Sequence, residues 1–137
     1  MCQQHTNQAV LGDLMHCVGV DIVEIARIEG AVRRWGEHFL HHVYTPREVE
    51  LCHHRLAYLA ARFAAKEAVM KALGVGFTGI GWREVEILPG LGGKPSICLY
   101  GRAQSRAREL GLGEITISLS HSGDYAIACV VGFPMTD

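Results

Sequence analysis

Apolar positions along the chain change their period several times, and each change marks an element. Cys17–Glu24 reads CVGVDIVE, a β-branched run suited to a buried strand and interrupted only by Asp21. From Ile25 the period lengthens. Ile25, Ile28, Val32 and Trp35 recur at helical spacing, which predicts a helix to about Trp35. Thr45, Pro46 and Glu48 supply three agreeing helix-start signals: a capping Thr, Pro in the first turn, and Glu three residues after the cap. A short helix is predicted from there to about His53. Residues 56–73, LAYLAARFAAKEAVMKAL, are nearly all strong helix formers and end at Gly74. A glycine-rich connection follows over residues 74–81. Residues 84–88 and 96–100 read as strands, joined through Gly90, Gly92 and Gly93. Residues 102–110 form a helical pattern. Residues 114–119 and 125–131 are two further strands, with a hairpin signal over residues 120–124. Residues 1–14 show no periodicity and are expected to be a disordered N-terminal extension, with Met15 a candidate internal start. Residues 15–137 then make one small α+β domain, a mostly antiparallel sheet packed against the long helix.

Composition narrows the classes. Among 137 residues, 49% are hydrophobic and 20% charged, which excludes a disordered or fibrous chain. Thirteen Lys+Arg against 14 Asp+Glu leave a net charge of -1, so nucleic acid is not expected as a partner. An RNA-binding α+β module would also need an aromatic strand that the chain lacks. No apolar run approaches a membrane span, and the first 12 residues do not read as a signal peptide. Five scattered cysteines without a CxxC pair suit small thiols in a reducing compartment, so a cytoplasmic location is expected. His38, His41, His42, His53 and His54 crowd two short stretches. Their spacing fits no standard zinc site, and helix or loop histidines are the simpler reading.

Two residues stand out chemically. Asp21 is an ionisable group in an apolar strand, costly unless donors or a cation meet it. The alternative is that it lies at the strand end and caps the helix from Ile25. On the long helix, Phe63, Glu67 and Lys71 share one stripe, and Arg62 and Lys66 form the next. Taken alone, that stripe is a solvated face with a Glu67–Lys71 pair. Taken with Asp21, two carboxylates from separate elements beside lysines and a glycine-rich loop suit a Mg²⁺ ion carrying phosphate oxygens. The segment SLSHSGDYA, residues 118–126, contains no nucleophile elbow, so covalent serine catalysis is not expected. A histidine that contacts a ligand phosphate fits His121 better.

These pieces together resemble the small bacterial holo-[acyl-carrier-protein] synthases, a type of 4'-phosphopantetheinyl transferase. The matching residues are Gly19-Val20-Asp21-Ile22-Val23-Glu24 with Arg27-Ile28, and Tyr44-Thr45-Pro46-Arg47-Glu48. Further along they are Arg62-Phe63-Ala64-Ala65-Lys66-Glu67-Ala68 with Lys71-Ala72-Leu73-Gly74, Gly93-Lys94-Pro95, and Ser118-Leu119-Ser120-His121-Ser122 with Tyr125-Ala126. The resemblance spans residues 17–131, nearly the whole domain. It implies Mg²⁺-dependent transfer of the phosphopantetheine arm of coenzyme A to a serine of an apo acyl carrier protein, releasing adenosine 3',5'-bisphosphate, in fatty acid biosynthesis. It implies Asp21 and Glu67 as metal ligands, with Glu67 and Lys71 catalytic. Arg62, Lys66, Lys71, Gly74, His121 and Ser122 fall where the family binds coenzyme A; Ser122 stands where Thr is common and keeps the hydroxyl. Arg27 matches a carrier-binding position, and Arg34 lies on the same helix stripe. The family forms homotrimers with active sites between protomers. For the serine proton, a metal-bound water and Glu67, direct or through one water, both remain open as acceptors. The competing reading is a non-catalytic binder of coenzyme A or a nucleotide; an intact Asp21 and Glu67 favour chemistry.

Overall fold

The computed structural model describes residues 16–74 and 79–136. The extension expected over residues 1–14 lies outside them, as does most of the glycine-rich connection after Gly74. In chain order the elements are β1 (Cys17–Glu24), α1 (Ile25–Trp35), α2 (Glu37–Val43), α3 (Pro46–Cys52) and α4 (Leu56–Ala72). After these come a 3₁₀ turn (Trp82–Glu84), β2 (Val85–Pro89), β3 (Pro95–Leu99), α5 (Gly101–Glu109), β4 (Leu112–Ser122) and β5 (Tyr125–Pro134). The α+β expectation holds. One antiparallel sheet has the order β1-β5-β4, and β2 and β3 form a separate antiparallel hairpin.

Helix α4 lies on the inner face of the three-stranded sheet. Its alanines make that possible: Ala60, Ala61, Ala64, Ala65 and Ala68 are all buried and offer a nearly flat surface. The strand answers with its smallest residue. A Cβ on Gly19 would sit 1.9 Å from the carbonyl oxygen of Ala68, so only glycine lets backbone meet backbone there. Val23, Ile28, Leu59, Val69, Ile87 and Val130 fill the rest of the core.

Several expectations change in detail. β1 is an edge strand rather than a buried one: Gly19 and Val23 point inward, while Val18, Val20 and Ile22 are 59%, 52% and 57% exposed. Asp21 does not cap α1. The capping position is Glu24, and it makes no side-chain cap bond. Helix α2 follows Gly36, which turns the chain at φ 54. Strands β4 and β5 run longer than their patterns suggest, so His121 lies within β4 opposite Ala126 rather than in the turn. The capping box on α3 forms as expected, Thr45 and Glu48 each bonding the other's backbone N–H.

Candidate active site

Strand β1 and helix α4 bring Asp21 and Glu67 together. Asp21 stands on the inner side of β1, opposite Ala128 of β5, with its side chain 11% exposed. Glu67 faces it from α4. One oxygen of each, Asp21 Oδ2 and Glu67 Oε1, is buried with no hydrogen-bond partner. Buried carboxylate oxygens without donors are costly. Burial, and after it the neighbouring Asp21 carboxylate, push Glu67 up to about 7, while Arg27 and Lys71 pull the other way. Two acidic groups from different elements, each with an orphaned oxygen, form a donor set suited to a hard divalent cation that fills its remaining positions with water and phosphate.

Lys71 is the group that does meet Asp21. Its ammonium donates to Asp21 Oδ1 at 2.8 Å and to the Val20 carbonyl at 3.2 Å. The hydrogen bond to Asp21 raises its pKa above the ordinary lysine value. The simple i,i+4 pair with Glu67 is therefore not what the helix presents. Gly74 follows one turn later at φ 70, its N–H donating to the Lys71 carbonyl. The preceding carbonyl, of Leu73, accepts from Arg106 of α5 at 2.9 Å, a brace the sequence pattern did not single out.

The other end of α4 borders a cleft of about 410 Å³ lined by Tyr58, Arg62, Pro89, Pro95, Leu119 and His121. Arg62 is half-buried and donates to the Ile87 carbonyl at 3.2 Å. The His121 ring meets Tyr58 edge-on at 6.2 Å. Ser122 is exposed at the end of β4. From Tyr58 to Lys71 the helix rises about 20 Å at about 1.5 Å per residue. One chain thus carries an arginine–histidine cleft along the N-terminal half of this helix and a carboxylate–lysine site along its C-terminal half.

Lys66 belongs to neither, which corrects the expectation that it faces phosphate. It is fully buried, 2.8 Å from Glu48 Oε1, and also donates to the carbonyls of Trp82 and Val85. All three of its protons are spent on protein. Glu48, also fully buried, accepts in addition from the backbone N–H groups of Thr45 and Ile87. Lys66 sits one residue before Glu67, but a helix turns about 100° per residue, and that rotation carries it under the β2 hairpin.

On α1, Arg27 lies over the Phe63 ring at 5.3 Å, and Phe63 stacks on Trp82 at 4.7 Å. Arg34 lies over Trp35 at 4.9 Å, and Arg33 pairs with Glu29 at 3.6 Å. Both Arg27 and Arg34 are exposed. The five clustered histidines are exposed as well. Among the described residues no group of three or more His, Cys, Asp or Glu could hold a metal ion, so a cation here relies on the Asp21–Glu67 pair alone. No helix among them is long and apolar enough to cross a membrane.

Comparison with known proteins places this arrangement. Residues 17–130 match the 4'-phosphopantetheinyl transferase superfamily, and the chain belongs to that family. Similar relatives within it include holo-[acyl-carrier-protein] synthases. A holo-[acyl-carrier-protein] synthase of Herpetosiphon aurantiacus is 52% identical over 125 residues, covering 86% of this chain and 98% of the relative. Another, of Moorella thermoacetica, is 52% identical over 113 residues, covering 80% and 88%. Among solved structures, the Helicobacter pylori holo-[acyl-carrier-protein] synthase in complex with coenzyme A superposes with a TM-score of 0.77 at 34% identity, over 84% of this chain and 98% of that one.

Proposed function

We infer that this chain is a holo-[acyl-carrier-protein] synthase. It transfers the 4'-phosphopantetheine arm of coenzyme A to a serine of an apo acyl carrier protein, with adenosine 3',5'-bisphosphate as the leaving product. The observation that carries the site assignment is the Asp21–Glu67 pair with its two orphaned oxygens beside Lys71. Asp21 and Glu67 would hold Mg²⁺, which when bound offsets the charge of the coenzyme A diphosphate. The carrier serine oxygen attacks the phosphorus that bears the pantetheine arm, and the bond from that phosphorus to the adenosine bisphosphate oxygen breaks. Glu67 accepts the serine proton through one water, a relay that suits a carboxylate made weakly basic by a bound cation. Lys71 stabilises charge gathering on the leaving phosphate. Arg62 and His121, with Ser122 beyond them and Gly74 at the helix end, bind the remainder of coenzyme A.

A homotrimer with sites between protomers is supported by two features. The outer sheet face shows exposed Val18, Val20, Ile22, Tyr125 and Ile127, an apolar area that a second copy would cover. The two functional ends of α4 would then meet across that contact. Arg27 and Arg34 form the face offered to the acidic carrier protein. The same reading puts the enzyme in the cytoplasm, in fatty acid biosynthesis, with residues 15–137 as the transferase domain. The deciding measurement is the intact mass of several apo carrier proteins after incubation with this protein, coenzyme A and Mg²⁺. One added phosphopantetheine on at least one carrier is expected; none on any carrier would refute the transferase reading.

A further inference from the structure

Lys71 reaches across from α4 to Asp21, 50 positions away in sequence, although Glu67 lies one turn back on its own stripe. Its side chain is 58% exposed, against 11% for Asp21. Packing therefore does not hold the lysine; its two hydrogen bonds, to Asp21 Oδ1 and the Val20 carbonyl, do. Asp21 Oδ2 and Glu67 Oε1 remain buried and unmet. The carboxylate pair is thus half occupied by an ammonium and half open.

We propose that Lys71 is an internal counter-ion that keeps free divalent cations out of the Asp21–Glu67 pair until a diphosphate draws it away. The ligand taken up is then the cation already chelated by the coenzyme A diphosphate. This rests on the reading of Asp21 and Glu67 as the metal ligands. A bare cation entering the pair must displace the ammonium from Asp21, and at contact distance the two positive charges repel. No other carboxylate among the described contacts of Lys71 receives it. A cation bound to a diphosphate brings anionic oxygens that take the ammonium over, so one charge-assisted contact is exchanged for another. The long, flexible stem of lysine makes that exchange possible without moving the helix. Cation and coenzyme A then bind with positive coupling, and by linkage each strengthens the other by the same factor.

Binding of Mn²⁺, followed by the loss of its free-ion paramagnetic resonance signal, tests this without turnover. The wild-type chain should bind Mn²⁺ at least tenfold more tightly with coenzyme A than without it. Adenosine 3',5'-bisphosphate, which has no diphosphate, should give no such gain. Lys71→Met should bind Mn²⁺ alone about tenfold more tightly than wild type, and its gain from coenzyme A should shrink by at least as much. Lys71→Gln should do the same, and unchanged far-UV dichroism will show that both variants fold. Arg27→Met sets the background, because it removes a positive charge that Glu67 feels while leaving the Lys71–Asp21 contact in place. A gain in Lys71→Met no larger than that of Arg27→Met overturns the proposal. So does wild-type affinity that is indifferent to coenzyme A. Mn²⁺ binding that survives Asp21→Asn instead overturns the underlying metal-site reading, which separates the two failures.

Discussion

Asp21 and Glu67 illustrate how a site is maintained against the preference of its own fold. Two acidic groups share a partly dry space, and neither has enough donors. Removing one should therefore cost activity and spare the fold. Asp21→Asn and Glu67→Gln are expected to lower kcat/KM by two or more orders of magnitude, in a phosphopantetheine-transfer assay, with the melting temperature unchanged or raised. The same pair sets a pH dependence in protein stripped of metal with EDTA. Glu67 titrates at about 7 in the fold against 4.5 as its ordinary value. The fold thus favours its protonated form. That stabilisation is fully present below about pH 4.5 and is lost as pH rises through about 7. Chemical denaturation across that range should show it, and Asp21→Asn should flatten the slope.

Lys66 belongs to the same scale with the opposite prediction. Its burial lowers its pKa, and the Glu48 carboxylate offsets that in part. Taking away one partner of a buried ion pair typically costs about 3–5 kcal/mol, because the other charge is left without its match. Lys66→Met should destabilise the chain by that order in urea, while the KM for coenzyme A of the folded enzyme stays near wild type. A large KM effect without loss of stability would restore Lys66 to the phosphate site.

At the scale of elements, α1 is the part with a separable kinetic role. Arg27 is held over Phe63, itself stacked on Trp82, so its charge is presented from a fixed platform. Rim charges act chiefly on association and are screened over about 10 Å at 0.1 M salt. Arg27→Glu and Arg34→Glu should raise KM for the carrier protein about tenfold, flatten its salt dependence, and leave KM for coenzyme A unchanged. Equal loss toward both substrates would argue against docking through α1.

Elements also divide into those the sequence reveals and those it hides. Helix α4 is legible from composition, α3 from its capping box, and β1 from its β-branched run. The orientation of α4 is not legible. It is buried on most of its circumference, so hydrophobic spacing cannot tell which charged stripe reaches the site and which lies under β2. Spacing therefore puts Lys66 with the phosphate-facing charges, and it shows Glu48 only as a cap, not as the buried partner of a lysine. Helix α2 is short and rich in histidine, so its pattern is weak; it forms because Leu40 and Val43 find the core. Asp21 stands out in the sequence because a charge in an apolar strand is an anomaly whichever way the chain folds, and Glu67 stands out only once its helix stripe is set beside Asp21. Their direct pairing needed the register of β1 against α4, which Gly19 permits.

For the whole molecule, the separation between the two ends of α4 matters most. If copies meet through the outer face of β1 and β5, each complete site draws on two chains. Val20→Asp should then yield monomers by light scattering and little activity. Asp21→Asn and His121→Ala, each impaired alone, should recover part of the wild-type rate when unfolded and refolded together, because some mixed sites escape both changes. No recovery after subunit exchange has been verified by mass would mean that each chain works alone.

The burial of Lys66 also turns the chain's amines into a reporter. The sequence holds three lysines: Lys66, Lys71 and Lys94. Lys66 is sealed in the core, while Lys71 and Lys94 are exposed. Brief treatment of the native protein with an acylating reagent should modify those two side chains and leave the third intact until the chain unfolds. Saturating coenzyme A and Mg²⁺ should then protect Lys71. Peptide mass spectrometry of the three lysine amines would read ligand occupancy at one position and global integrity at another, in a single sample.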